Sequence, residues 1–214
     1  MRERRYLTRA ELVSLLDEIP VKWRPLFELL AATGLRISEA IGLRWSDLVL
    51  DGDTPHLRVR RAIVKRAAVA PKSRHGARLV PLTPALATTL RVHRPREAPD
   101  DAFVFRGRGG GPADQGSLRR RVLVPAAARA SLPVVGFHTL RHTCASMLIE
   151  SGLSPLRLQR WMGHHSPAFT LETYGHLIDG DLGPPLDLQH ELRFEETRKR
   201  KPSPRRGRVS ETSG

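Results

Sequence analysis

Residues 138–142 read His-Thr-Leu-Arg-His and begin a segment whose pattern predicts a helix to Glu150. On a helix, positions 138, 141 and 142 are three or four residues apart, so both histidines and the arginine share one face. When charged, these side chains repel one another, and the arrangement therefore favours an anion between them. A capped helix end whose histidines have no joint role is the alternative interpretation.

A metal site is a second interpretation of the same histidines. His138 and His142 have the spacing of metal ligands on a helix, and His164-His165 could complete a set. However, no HExxH glutamate accompanies them, the chain has one cysteine, and Arg141 places a fixed positive charge beside the cation. We therefore expect no metal and no cofactor.

Composition bounds the class of protein. The 214 residues include 36 Lys+Arg against 22 Asp+Glu, a formal net charge of +14, which is an argument for a nucleic-acid partner. With 40% apolar residues the chain is folded, and its length suits one domain. The single cysteine, Cys144, excludes an internal disulfide framework, and no apolar run is long enough to span a membrane. We expect a soluble cytoplasmic protein with a nucleic-acid partner, although the charge alone indicates no particular activity.

The C-terminal residues 198–214 form a separate zone, RKRKPSPRRGRVSETSG, with seven basic residues and one acidic residue. Its low apolar content predicts a disordered basic tail after a folded domain over residues 1–197. The tail is either a solvated end or an arm that binds phosphates nonspecifically.

The periodicity predicts a mainly helical α+β domain with a small antiparallel β-sheet at about residues 48–81. Thr8 and Glu11 have the spacing of a capping box, and Gly34 is expected to end the second helix. Strands are predicted at residues 48–50, 57–59, 63–70 and 78–81, and further helices at 84–92, 116–130, 139–150, 155–162 and 171–176.

Three further residues could take part in chemistry, although each alone has a more ordinary explanation. Arg36 follows the turn at Gly34, and Lys72 lies between two predicted strands; most such side chains are solvated surface charges. Tyr174 is one of two tyrosines, and a lone tyrosine on an apolar helix is usually part of a core. Its phenol is a poor nucleophile until nearby groups stabilise the anion, as clustered arginines and histidines do.

Taken in order, these segments resemble the catalytic domain of the tyrosine recombinases, the phage integrase-like family. The first arginine motif of that family, TGLRxSEAxxLxWxD, is matched at residues 33–47. The hairpin pattern PKT…RxxPL is matched by residues 71–73 and 78–82, with Ser73 in place of threonine. The HxLRH motif is residues 138–142, the LGH motif is residues 162–164 with Met162 in place of leucine, and the tyrosine motif is residues 172–176.

The resemblance implies a metal-free active site with six catalytic positions: Arg36, Lys72, His138, Arg141, His164 and Tyr174. By this resemblance Tyr174 attacks a DNA phosphodiester, leaving a 3′-phosphotyrosyl bond and a free 5′-hydroxyl. Both arginines hold the non-bridging oxygens, and Lys72 protonates the departing 5′-oxygen. His138 exchanges a proton with the nucleophile, His164 hydrogen-bonds the phosphate, and His142 supports the others.

The family further implies site-specific recombination or integration of double-stranded DNA by a homotetramer, in the prokaryotic cytoplasm and in association with mobile elements. We expect the family's usual N-terminal core-binding domain to be absent from this chain. Two alternatives to a site-specific recombinase stay open. One is a type IB topoisomerase-like relaxing activity, and the other is a truncated DNA-binding remnant without catalysis.

Overall fold

The computed structural model describes residues 6–70, 76–164 and 166–175. Their fold is the predicted mixture of helices with a small amount of antiparallel sheet. The helices within these ranges are α1 (Arg9–Asp17), α2 (Arg24–Thr33), α3 (Ile37–Ala40), α4 (Pro84–His93), α5 (Gln115–Leu118), α6 (Val124–Arg129), α7 (Phe137–Glu150), α8 (Pro155–Met162) and α9 (Pro167–Tyr174).

The first two helices follow their sequence signals. Thr8 caps α1 by accepting a hydrogen bond from the Glu11 N–H, and the Glu11 carboxylate accepts the Thr8 N–H in return, so the predicted capping box is confirmed. Helix α2 ends at Gly34, which has a left-handed φ of 63° that glycine adopts without steric cost. The chain therefore turns sharply just before Arg36.

Two separate sheets replace the single sheet expected from the sequence. Strands β1 (Leu48–Val49), β2 (His56–Val59) and β5 (Arg78–Pro81) pair antiparallel in the order β1-β2-β5.

The prediction of one continuous strand over residues 63–70 is wrong, because the chain forms a hairpin there. Strand β3 (Ala62–Val64) pairs with β4 (Ala67–Val69), and Lys65 and Arg66 form the turn with φ values of 49° and 67°. Two-residue hairpin turns require such positive φ angles, and Asn or Gly usually marks them. Because Lys65 and Arg66 occupy the turn instead, the sequence did not indicate a hairpin at these positions.

A π-helical turn interrupts the helix that the sequence predicted over residues 116–130. Residues Arg119–Leu123 form this turn between α5 and α6, and the Val124 N–H donates to the Arg119 carbonyl five residues earlier. Pro125 follows directly and has no N–H with which to continue regular α-helical bonding.

The last helix is also longer at its start than predicted. Helix α9 begins at Pro167 rather than at residue 171, because Ser166 caps it by accepting the Phe169 N–H. Its predicted end at His176 lies outside the described residues.

The core consists of one large cluster and one small one. Helix α2 packs against α7 in the large cluster, where the Phe27 and Phe137 rings stack with centroids 6.1 Å apart. The small cluster joins Tyr174 of α9 to buried residues of α7 and α8, namely Ala145, Leu158 and Met162. Helix α7 contributes to both clusters, so it supports two groups of functional side chains. Over the three described ranges, no helix has both the length and the apolar character that crossing a membrane requires.

Candidate active site

Arg36 lies at the N-terminus of α3, immediately after the turn at Gly34. Its main-chain N–H donates to Glu39 Oε2 at 2.9 Å, and its Nη1 donates to Glu39 Oε1 at 3.0 Å. The side chain remains 41% exposed. Glu39 thus holds one edge of the guanidinium while the charged group stays accessible from solvent.

Glu39 itself is buried, and the sequence analysis did not single it out. Burial alone would raise the pKa of its carboxyl group, but hydrogen bonds and charge from Arg78, followed by Arg36, lower the pKa below its ordinary value. The carboxylate is therefore ionised. Two sequence signals could have identified it: Glu39 is a fixed position of the first arginine motif, and it lies three residues after Arg36, which is capping-box spacing.

Later residues of the first arginine motif make structural contacts. The buried carboxylate of Asp47 accepts the Arg44 N–H at 2.9 Å and also pairs with Arg61. Trp45 is buried in the core. These residues fix the chain that follows α3.

Arg141 lies in the second turn of α7 and is buried. Its Nη1 donates to the carbonyl oxygen of Gly34 at 2.5 Å, and its Nη2 donates to that of Met162 at 2.7 Å. Burial and then the nearby charge of Arg36 lower the pKa of Arg141 to about 10. The guanidinium still carries its charge at neutral pH, and the lowered pKa means that a neighbouring anion is favoured.

Arg36, Arg141 and His138 line one cavity of about 300 Å³, together with Phe137 and others. Burial, and then the charges of Arg141 and Arg36, lower the pKa of His138, so its imidazole is neutral at neutral pH. Helix α7 begins with Phe137, and its first N–H groups also favour an anion. Arg119 also lines the cavity, which therefore combines three arginines with a neutral imidazole.

Two polar residues of this cavity were missed by the sequence analysis. Gln115 and Arg119 contribute from α5 and the π-helical turn. They belong to none of the motifs, and only the folded chain brings them beside Arg36.

Tyr174 meets the second histidine of the HxLRH segment. Its hydroxyl lies 2.7 Å from His142 Nδ1, and the two ring centroids are 5.7 Å apart. The side chain of Tyr174 belongs to the small core cluster and is only 3% exposed. The structure thus shelters the phenol and gives it a hydrogen-bond partner that can accept a proton.

His164 follows α8 and is buried beside Tyr174. Its Nδ1 lies 2.9 Å from Thr170 Oγ1, and its ring is nearly parallel to that of Tyr174 at a centroid distance of 6.3 Å. Burial and then the charge of Arg141 lower the pKa of His164 to about 3. The imidazole is therefore neutral, and its other nitrogen is left for a further partner.

Five of the six predicted catalytic residues fall within the described ranges, and Lys72 lies outside them. Its assignment stays a prediction, as do the tail at residues 198–214 and the domain boundary before it. Within the described parts of the chain, no group of three or more His, Cys, Asp or Glu side chains could hold a metal ion.

Comparison with known proteins places these features in context. The model of the phage integrase family matches residues 5–180. A tyrosine recombinase XerC-like protein of Caldanaerobacter subterraneus subsp. tengcongensis is 29% identical over 184 residues, covering 72% of this chain and 46% of that protein. The tyrosine recombinase XerC of Xanthomonas axonopodis pv. citri is 33% identical over 168 residues, covering 78% and 50%. The chain thus spans about half the length of the curated relatives it matches.

Solved structures share the fold. The Tn1549 transposon integrase (residues 82–397), solved in complex with circular intermediate DNA, has a TM-score of 0.68 at 24% identity, covering 92% of this chain and 68% of that one. The crystal structure of XerA recombinase gives a TM-score of 0.67 at 22% identity, covering 95% and 66%.

Proposed function

Because this chain belongs to the phage integrase family, we propose that it is the catalytic part of a tyrosine-type site-specific DNA recombinase. Tyr174 is the nucleophile, and the scissile phosphate occupies the cavity lined by Arg36 and Arg141. The observation that carries the proposal is this cavity, in which Arg36, Arg119 and Arg141 from distant parts of the chain meet a neutral histidine. A DNA phosphodiester is the anion that suits them, and curated relatives are named tyrosine recombinases.

The arginines have the role of stabilising charge. Attack on a phosphodiester creates a pentavalent transition state whose non-bridging oxygens gain negative charge, and preorganised donors stabilise that charge most when they are partly desolvated. Arg141 is held by two main-chain carbonyls and Arg36 by Glu39, so neither guanidinium has to reorganise during the step.

The cleavage step exchanges one phosphoester bond for another. The bond from Tyr174 Oη to phosphorus forms while the bond from phosphorus to the 5′-oxygen breaks. The phenolic proton passes to His142 Nδ1, and the departing oxygen takes a proton from Lys72, the role that the family resemblance implies. That resemblance gave the first transfer to His138, but the 2.7 Å distance supports His142. One phosphoester replaces another, so a second 5′-hydroxyl can reverse the step without an energy source.

His164 serves as a neutral donor to a phosphate oxygen in this scheme. With Nδ1 accepting the hydroxyl hydrogen of Thr170, the ring hydrogen resides on Nε2 and is available to the phosphate. Because the imidazole is uncharged, its donation does not depend on protonation near neutral pH.

The test is covalent capture on DNA whose sequence is not specified in advance. The protein is incubated with a pool of random-sequence duplexes that carry a nick near their centre, so that a short 5′-hydroxyl fragment diffuses away after cleavage. Protein-linked DNA is recovered under denaturing conditions and sequenced. The wild type should yield adducts and Tyr174→Phe none, while Tyr6→Phe, which changes the other tyrosine, should match the wild type.

Each outcome bears on the assignment. Adducts from Tyr174→Phe, or none from the wild type, contradict the proposal, and the second result supports a non-catalytic remnant. A shared motif among captured duplexes supports site specificity. Adducts without a motif, together with relaxation of any supercoiled plasmid, support the topoisomerase-like alternative. Assembly as a homotetramer on DNA stays a prediction of the family resemblance, measurable by the mass of the captured complex.

A further inference from the structure

Arg78 occupies an unusual position for an arginine outside the six catalytic positions. It begins strand β5 and its side chain is only 6% exposed. Its Nη1 and Nη2 donate to the two carboxylate oxygens of Glu39 at 3.2 and 3.0 Å, and its Nε donates to the carbonyl oxygen of Trp161 at 2.7 Å. All three nitrogens of the guanidinium are therefore used inside the protein.

The partners of Arg78 connect it to Arg36. Each oxygen of Glu39 accepts one hydrogen bond from Arg78 and one from Arg36, with Arg36 Nη1 on Oε1 and the Arg36 main-chain N–H on Oε2. A two-pronged hydrogen bond of this kind fixes both the position and the rotation of a carboxylate. Arg78 and Arg36 therefore share one carboxylate, and Arg78 holds both of its oxygens.

The contact with Trp161 connects Arg78 to a second part of the site. The indole N–H of Trp161 donates to the Thr33 carbonyl at 3.0 Å. The next residue, Met162, accepts a hydrogen bond from Arg141 through its main-chain carbonyl. His164 follows two residues after Met162. The start of β5 is thus joined to the end of α2 and to the chain that leads from α8 to His164.

The charges of this region also require a balance. Arg36, Arg78 and Arg141 are close enough to influence one another, and burial and Arg36 lower the pKa of Arg141 while Glu39 raises it. Glu39 is the carboxylate that offsets these cations, and without Arg78 two of the four hydrogen bonds to its side chain are lost.

We propose that Arg78 is a positioning residue of the active site, which aims Arg36 at the scissile phosphate through Glu39 and fixes the end of α8 ahead of His164. This inference rests on the proposed function, since it concerns the same cavity and the same reaction. Arg78 does not touch the phosphate; it acts through the residues that do.

Single-turnover cleavage of a captured nicked duplex, at saturating DNA, provides the first test. Arg78→Ala should slow cleavage by roughly 10²-fold, because small misplacements of catalytic groups cost about that much, while the Kd for DNA changes less than about threefold. Arg78→Lys keeps the charge but cannot form the two-pronged contact, so it should restore only part of the rate. Arg58→Ala removes an arginine from the neighbouring strand, opposite Leu79, and should match the wild type.

A double-mutant cycle tests whether Arg78 acts through Arg36. In the Arg36→Ala background, adding Arg78→Ala should slow cleavage by less than about threefold, since the group to be aimed is gone. A full additional loss in that background, or a rate for Arg78→Ala equal to that of Arg58→Ala, overturns the proposal.

Loss of folding is separated from loss of position by a neutral pair. Glu39→Gln with Arg78→Gln removes both buried charges and leaves two amides that can hydrogen-bond, so the unfolding midpoint should stay near that of the wild type. Cleavage should nevertheless remain slow, and recovery of the wild-type rate in this variant contradicts the proposal.

A measurement without DNA keeps the inference distinct from the proposed function. In protein labelled with ¹⁵N-arginine, restricted rotation should separate the Arg36 Nη signals in the wild type, and they should merge in Arg78→Ala. If the wild type forms no adduct, the proposed function fails and this spectrum alone decides the role of Arg78. Arg36 Nη signals that are the same in the wild type and in Arg78→Ala would then contradict the positioning role of Arg78.

Discussion

Arg141 donates a hydrogen bond to the main-chain carbonyl of Gly34, a residue 107 positions earlier in the chain. A second donor of the same guanidinium binds the carbonyl of Met162 at the end of α8. One side chain thus joins the turn before Arg36 to the segment before His164. Arg141, for which we propose a role in phosphate binding, therefore also links the elements that carry the neighbouring site residues.

Replacing Arg36 or Arg141 should reduce cleavage strongly. Arg36→Ala and Arg141→Ala should each slow single-turnover cleavage by about 10²–10³-fold, as the loss of one oxyanion donor does in other enzymes. Arg141→Lys should be almost as slow, because an ammonium cannot donate to both carbonyls and still face the phosphate. Arg160→Ala, an exposed change on α8, is the control, and a comparable loss there would point to general electrostatics instead.

Gly34 should tolerate alanine poorly for two additive reasons. Its φ of 63° is unfavourable for any residue with a Cβ, and that atom would lie 2.8 Å from the Cε and Sδ atoms of Met162. Gly34→Ala should lower the free energy of unfolding by roughly 2–3 kcal/mol. Gly152 has a φ of 86° with open space around the position, so Gly152→Ala should show only the backbone part, about 1 kcal/mol. Equal losses in urea unfolding at both sites would refute the packing argument.

Stability should fall in mild acid because of His164. Its pKa is about 3 in the folded chain against about 6.5 when unfolded. Between these values the unfolded chain binds more protons, so stability rises with pH and is lost as pH falls. From pH 7.5 to 5.0 this residue alone should remove about 2 kcal/mol from the free energy of unfolding.

The measurement is urea unfolding of the wild type and His164→Gln at both pH values. The variant should lose correspondingly less stability across the interval. His138 and His93 also have lowered pKa values and provide a background common to both proteins. An identical pH dependence in the two proteins would exclude the role given to His164.

Cys144 should react slowly with thiol reagents in the folded protein. It is buried, and burial raises the pKa of its thiol to about 12, so the reactive thiolate is scarce at pH 8. Because it is the one cysteine of the chain, the absorbance of the thiolate released from an aromatic disulfide reagent reports on this site alone. Reaction should accelerate to the rate of a free thiol in denaturing urea; rapid reaction without urea would show that the site is open.

Local signals predicted much of the fold. The capping box of Thr8 and Glu11 and the glycine stop at Gly34 both depend on neighbours in sequence, and both are confirmed. The hairpin turn at Lys65 and Arg66 and the π-helical turn before Pro125 were missed. In those places tertiary packing selects backbone angles that the residue types do not predict.

The candidate site divides in the same way. Motif spacing identified Arg36, His138 and Arg141, and the folded chain brings these three to one cavity. Glu39 and Arg78 were not identified, because their pairing joins residues 39 positions apart and depends on the return strand of a sheet. The contact of His142 with Tyr174 likewise depends on how α9 docks against α7.

The division of the core into a large and a small cluster has a consequence for how such a protein can be regulated and can evolve. The tyrosine packs on Ala145, Leu158 and Met162 of the small cluster. Of these three residues, only Met162 also contacts a cavity arginine, because its main-chain carbonyl accepts a hydrogen bond from Arg141. Substitutions at Ala145 or Leu158 would therefore change the packing of Tyr174 without removing a hydrogen-bond partner of Arg36 or Arg141. The timing of attack and the binding of a phosphate would then be separately adjustable properties of the proposed site.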